Sequence, residues 1–129
     1  MSTTRFLDSK LFAVVGASNN RGKFGNRVLR HYLRHGRTAV PVNPRQDTVE
    51  GLRAYPDLAA AVAACPGLDR ASIITPPRVT EAVVDQAIAL GSITMLWMQP
   101  GAESPAAIAA ARAAGIEVIA GGPCVLVEL

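Results

Sequence analysis

The sequence predicts an α/β domain built on a doubly wound, parallel, five-stranded sheet flanked by helices. Three observations predict it. Five short runs of β-branched and apolar residues recur along the chain: Leu11 to Gly16, Thr38 to Val42, Ala71 to Thr75, Ile93 to Met98 and Ile116 to Ala120. These runs lack polar alternation, as strands do when helices cover both faces of a sheet. Segments of helical period separate them, giving the strand and helix alternation that parallel pairing through right-handed crossovers requires.

Each helix has its own signals. From Gly25 to His35, the residues Val28, Leu29, Tyr32 and Leu33 form one apolar stripe, with Arg27, Arg30 and Arg34 mostly off it and Gly36 as the stop. In the segment Asp57 to Cys65, the residues Leu58, Ala61, Val62 and Cys65 follow the i, i+3, i+4, i+7 pattern behind Asp57 as a cap. Val83, Val84, Ala87 and Ile88 make the inner face of a third helix that Gly91 ends. Ser104, Pro105, an alanine-rich stretch and Gly115 supply cap, first-turn proline and terminator for the fourth. The expected result is a Rossmann-like fold with strand order 3-2-1-4-5 in a single domain, residues 1–129.

Composition narrows the function classes. The chain has 129 residues, of which 50% are hydrophobic, enough for one core without metal or disulfide support. Its two cysteines, Cys65 and Cys124, lack the paired spacing of zinc or redox sites. The net charge of +3 comes from arginines scattered among acids, which disfavours nucleic acid as a partner. No apolar run is long enough to span a bilayer and no leader pattern opens the chain, so the expected location is the cytoplasm.

In an open α/β sheet, ligands bind outside the carboxyl ends of the strands. The first strand leads into Gly16, Ala17, Ser18, Asn19, Asn20, Arg21, Gly22, Lys23, Phe24 and Gly25 before the helix opens. Small residues there let main-chain amides approach a phosphate, and the helix start adds partial positive charge. The same glycines would also serve simply to turn the chain. The loop is neither a strict GxGxxG nor a P-loop, because Gly16 to Gly22 is one residue too long and Phe24 replaces the hydroxyl that binds Mg²⁺. Val42, Asn43, Pro44 and Arg45 follow the second strand without the carboxylate that NAD-binding domains place there. Arg45 instead suits a phosphorylated ribose, which both NADP and coenzyme A carry.

VVGAS, KFGNRVLR, AVPVNPR, EGLRAYPDL, ITPPRVTEAVVDQAI, LWMQPGAES and the closing Cys124 segment occur in that order along nearly the whole chain. Together they resemble the small stand-alone CoA-binding protein family and, more distantly, the CoA-binding domain of the succinyl-CoA synthetase alpha subunit. The resemblance implies coenzyme A as the cofactor, with its pyrophosphate on Gly16, Ala17 and Ser18, near Lys23 and the helix start at Gly25. It implies Val42, Asn43 and Pro44 beside the adenosine and Arg45 at the 3′-phosphate. Thr75, Pro76 and Pro77 would wall the groove, and Gln99, Pro100 and Gly101 would face the far end of the pantetheine arm. Cys124 would lie at that same end, where oxidation could join it to the cofactor thiol; a buried structural thiol is the alternative.

No acid and base pair stands out, and no catalytic residue is assigned. His31 and His35 stand four apart on the first crossover helix without a third ligand nearby, so no metal site is expected. The expected role is a non-catalytic module binding coenzyme A or an acyl-CoA, with a second copy of the chain or another protein as a further partner. An NADP-type oxidoreductase fragment and an interaction module with a vestigial pocket are the competing readings.

Overall fold

The computed structural model describes residues 2–129. In chain order the elements are α1 (Ser2–Leu7), β1 (Leu11–Val15), α2 (Phe24–Arg34), β2 (Thr38–Val42), β3 (Thr48–Val49), β4 (Leu52–Arg53), α3 (Leu58–Ala64), β5 (Arg70–Ile73), α4 (Pro77–Leu90), β6 (Met95–Met98), α5 (Pro105–Ala113), β7 (Glu117–Ile119) and α6 (Val125–Glu128). The five expected strands form one parallel sheet, and each expected crossover helix is present.

The strand order differs from the expected one. The sheet runs β2-β1-β5-β6-β7, so the third long strand lies beside the first on the side away from β2, and the winding reverses between β1 and β5. The cause is local. After β2 the chain folds into the antiparallel β3–β4 hairpin and returns through Tyr55, which bridges Val42. Tyr55 donates its amide to Pro41 O and accepts from Asn43 N, so β2's outer edge is occupied and the next strand must pair with β1.

Alternation along each strand splits the core into two layers. Ala13, Val15, Ile73, Leu96, Met98 and Val118 face the side packed by α3, α4 and α5. Phe12, Val14, Met95, Trp97 and Ile119 face α1, α2 and α6. Phe6 of α1 meets Trp97 edge-on at 5.3 Å, which anchors the N-terminal helix that the sequence pattern does not announce. On the same side, Tyr32 stacks on Phe12, and its hydroxyl shares a 2.6 Å hydrogen bond with Ser72 Oγ in the buried interior.

Caps explain where the helices stop and start. Asp57 Oδ1 accepts from Ala60 N at 2.8 Å, Ser104 Oγ accepts from Ala107 N at 3.2 Å, and Gly91 takes the left-handed conformation that closes α4. Leu33, expected on the packed stripe of α2, is exposed, at 36%. The face of α2 that packs is made instead by Gly25, Asn26, Val28, Leu29 and Tyr32, with Leu33 at its edge.

Candidate functional site

The tips of β1, β2 and β5 are level, since Val15 pairs with both Val42 and Ile73. Immediately beyond them lie two clefts that share Gly16, Asn43 and Thr75 and so form one groove across the point where the winding reverses. One cleft, of about 190 Å³, is largely apolar, walled by Val42, Pro44, Leu58, Val79 and Val83. The other, of about 490 Å³, is polar, lined by Gly16, Ser18, Lys23, Phe24, Gly25, Arg45, Gln46, Ile74 and Pro76 among others.

The polar end is a main-chain cradle. Gly16 has φ +100°, and a β-carbon there would lie 2.6 Å from Ile74 O, so a side chain is excluded by both conformation and space. Gly25 in the first turn of α2 lies against the Gly16 carbonyl. The loop between them is held by amide side chains. Asn43 Nδ2 donates to Ala17 O at 2.8 Å, and Asn26 Nδ2 donates to Ser18 O at 2.7 Å. Asn19 is tied to the β3–β4 hairpin through Thr48 O and Glu50 N. α2 itself begins at Lys23 with no side-chain cap, which leaves first-turn amides without intrahelical acceptors at the cleft wall.

Electrostatics agree with that geometry. No carboxylate lines the polar cleft, while Lys23 and Arg45 stand at it exposed. Glu50, an acid in contact with the loop, is already engaged, accepting from Asn26 Nδ2 at 3.0 Å and Arg21 Nη2 at 3.3 Å. The Asn26 hydrogen bond, with help from the Arg21 and Arg30 charges, holds the Glu50 carboxyl below the ordinary range despite partial desolvation. A preorganised set of amides, two cations in no ion pair among the described residues and no acid in the cleft lining suits a phosphate or diphosphate group.

Most residues expected at the site meet in this groove: Gly16, Ser18, Lys23, Gly25, Val42, Asn43, Pro44, Arg45, Thr75 and Pro76 all line it. Ala17 is buried beneath the loop, and Pro77 opens α4 just past the wall. Gln99, Pro100, Gly101 and Cys124 line neither cleft. The Gln99 side chain is buried, its Oε1 accepting from Val125 N at 2.9 Å, and Cys124 is a partly buried thiol where α6 begins.

Several lining residues were missed in the sequence. Asp57 carries two roles, capping α3 and facing the apolar cleft, and the cap signal hid the second. Val79 and Val83 are spaced i, i+4 on the edge of α4 that overlooks β1, a stripe legible only once the strand order is known. Gln46 sits one residue past Arg45, and its Oε1 accepts from Asn19 N at 3.0 Å, joining the two loops over the cleft. Among the described residues no helix is long and apolar enough to cross a membrane.

Known proteins share this architecture. A conserved hypothetical protein from Pyrococcus furiosus is 36% identical, with TM-score 0.83 over 94% of this chain and 99% of that one. A hypothetical protein from Pyrococcus horikoshii is 28% identical, with TM-score 0.86 over 98% and 87% of the two chains. An acetyl-coenzyme A synthetase from Candidatus Korarchaeum cryptofilum, solved with phosphate and ADP, is 26% identical with TM-score 0.74. That match covers 93% of this chain but 27% of the synthetase. The family model described as a CoA binding domain matches residues 10–129, and the chain belongs to that family.

Proposed function

We propose that this chain binds coenzyme A, free or acylated, along the groove at the sheet's carboxyl edge, and serves as a non-catalytic binding module. One observation carries the reading: an uncapped helix start, glycine-lined main chain and two cations in no ion pair among the described residues meet in a cleft without acids, beside an apolar cleft of a size for a flat ring. The family membership supports it, as does the similar region within an acetyl-coenzyme A synthetase.

In this reading the pyrophosphate rests on Gly16, Ala17, Ser18 and the first turn of α2 at Gly25, with Lys23 neutralising it. Arg45 takes the 3′-phosphate. The adenosine lies against Val42, Asn43 and Pro44 and enters the apolar cleft beside Val79. The arm passes Thr75, Pro76 and Pro77 toward Gln99, Pro100, Gly101 and Cys124 farther along the edge. The groove's lining offers no histidine or cysteine, and its one carboxylate, Asp57, is engaged as a cap, which favours binding over catalysis.

A thermal-shift panel of coenzyme A, acetyl-CoA, NADPH, NAD and ATP tests the reading. A ligand at 100 times its dissociation constant adds about 2.7 kcal/mol to stability, a plainly visible rise in midpoint. Coenzyme A and acetyl-CoA should raise it. A rise with NADPH and none with coenzyme A would favour the oxidoreductase reading, and no rise with any ligand would favour an interaction module.

A further inference from the structure

A second basic cleft lies away from the groove. Arg27, Arg30, His31 and Arg34 of α2 line it together with Leu126 of α6, and it shares no residue with either sheet-edge cleft. We propose that this flank of α2 is an anion site for a phosphate or phosphomonoester, held by the Arg27 and Arg34 guanidiniums on either side of His31.

The arrangement follows from helix geometry. Arg27 and His31 are i, i+4 neighbours, and His31 and Arg34 are i, i+3 neighbours, so two guanidiniums flank one imidazole on a single face. Seven residues span about 10 Å along the axis, within reach of two arginine side chains closing on one oxyanion. Arg30 is fixed beneath them, its Nε donating to Asn26 Oδ1 at 2.6 Å and its Nη2 to Arg21 O at 3.1 Å. Arg27 and Arg34 are exposed and form no ion pair among the described residues.

His31 supplies the independent sign. Its Nε2 is shielded from solvent and has no hydrogen-bond partner among the described residues. A ring nitrogen left without a partner beside three arginines has no acceptor for its N–H when the imidazole is protonated, and an oxyanion would provide one. The His35 ring lies 4.4 Å from the His31 ring, and α6 contributes only apolar Leu126 to the cleft. The carboxylate of α6, Glu128, lines a different hollow with Arg5 and Arg37. Burial first, then the charges of His35 and Arg34, lower the His31 pKa. An anion bound between the arginines would reverse that depression, which gives the site a direct readout.

The test follows the His31 ring by NMR across a pH titration, in inorganic phosphate and in chloride at matched ionic strength. Phosphate should raise the His31 midpoint above its chloride value by about one unit, equivalent to about tenfold tighter binding of phosphate to the protonated form. The double variant Arg27→Gln/Arg34→Gln should lose the rise while circular dichroism shows an unchanged fold. A Lys23→Ala/Arg45→Ala variant, stripped of the groove's cations, should keep it, so the result does not depend on coenzyme A binding. Equal midpoints in the two salts, or a rise that survives loss of both arginines, would overturn the site.

Discussion

Gly25 lies over the carbonyl of Gly16 so closely that a β-carbon on Gly25 would sit 2.1 Å from that oxygen. The contact joins the end of β1 to the start of α2 and sets the height at which the first-turn amides face the groove. A methyl group there has backbone, not a flexible side chain, in its way.

Gly25→Ala should therefore push α2 away from the loop. The expected cost is about 1–3 kcal/mol in urea denaturation, the usual range for overpacking a tight contact. Coenzyme A binding should weaken by more than tenfold in calorimetry at a temperature where the variant remains folded. An unchanged affinity would mean that the helix start does not hold the phosphates.

Arg45 has no ion-pair partner among the described residues and stands beside the polar cleft, where the proposed pose brings the 3′-phosphate. Arg45→Ala should weaken binding of coenzyme A about tenfold and leave dephospho-coenzyme A nearly unaffected, as loss of one charge-assisted contact predicts. Equal losses for both ligands would place Arg45 elsewhere on the cofactor.

Much of this fold could be read from the sequence, and the misses have physical reasons. Long apolar runs such as Leu11 to Gly16 and Ile93 to Met98 reveal strands because burial on both faces leaves no other pattern. Asp57, Ser104 and Gly91 reveal helix ends because capping is local chemistry. Strand order is not local: the pairing of Tyr55 with Val42 that closes β2's edge is invisible in any one segment. The β3–β4 hairpin was missed because its strands have two residues each, and its turn puts Glu50 at φ +51° before Gly51, where asparagine or aspartate is the usual signal. The glycine loop and Arg45 were legible as groove residues, whereas the structural work of Asn43 and Asn26 was not, since it depends on carbonyls brought near by folding.

The hairpin's hold on the loop between β1 and α2 should depend on pH through Glu50. Its carboxyl is depressed in the folded protein, chiefly by Asn26, so its contribution is present above the ordinary carboxylate range and is lost as pH falls through the depressed value. Wild type should be more stable than Glu50→Gln at pH 7, and the gap between the two urea midpoints should narrow steadily as pH falls below the ordinary carboxylate range. A gap that stays constant across that fall in pH would show that the charge is not the cause.

Tyr32 and Ser72 form the buried polar tie between α2 and β5, and burial holds the phenol above its ordinary pKa. Tyr32→Phe should cost about 1–2 kcal/mol by leaving the Ser72 hydroxyl unpaired, and Tyr32→Phe/Ser72→Ala should recover part of that loss. Denaturation of the single and double variants gives the coupling directly, and strict additivity would show that the hydroxyls act separately.

The most direct measurement is a titration of isotope-labelled protein with coenzyme A, followed through its amide resonances. Binding across the reversal point predicts the largest shifts at Ala17, Ser18, Phe24 and Gly25, with smaller ones at Val42 and Thr75. Saturation with those four amides unmoved, and the shifts gathered elsewhere, would contradict a helix-start grip on the diphosphate.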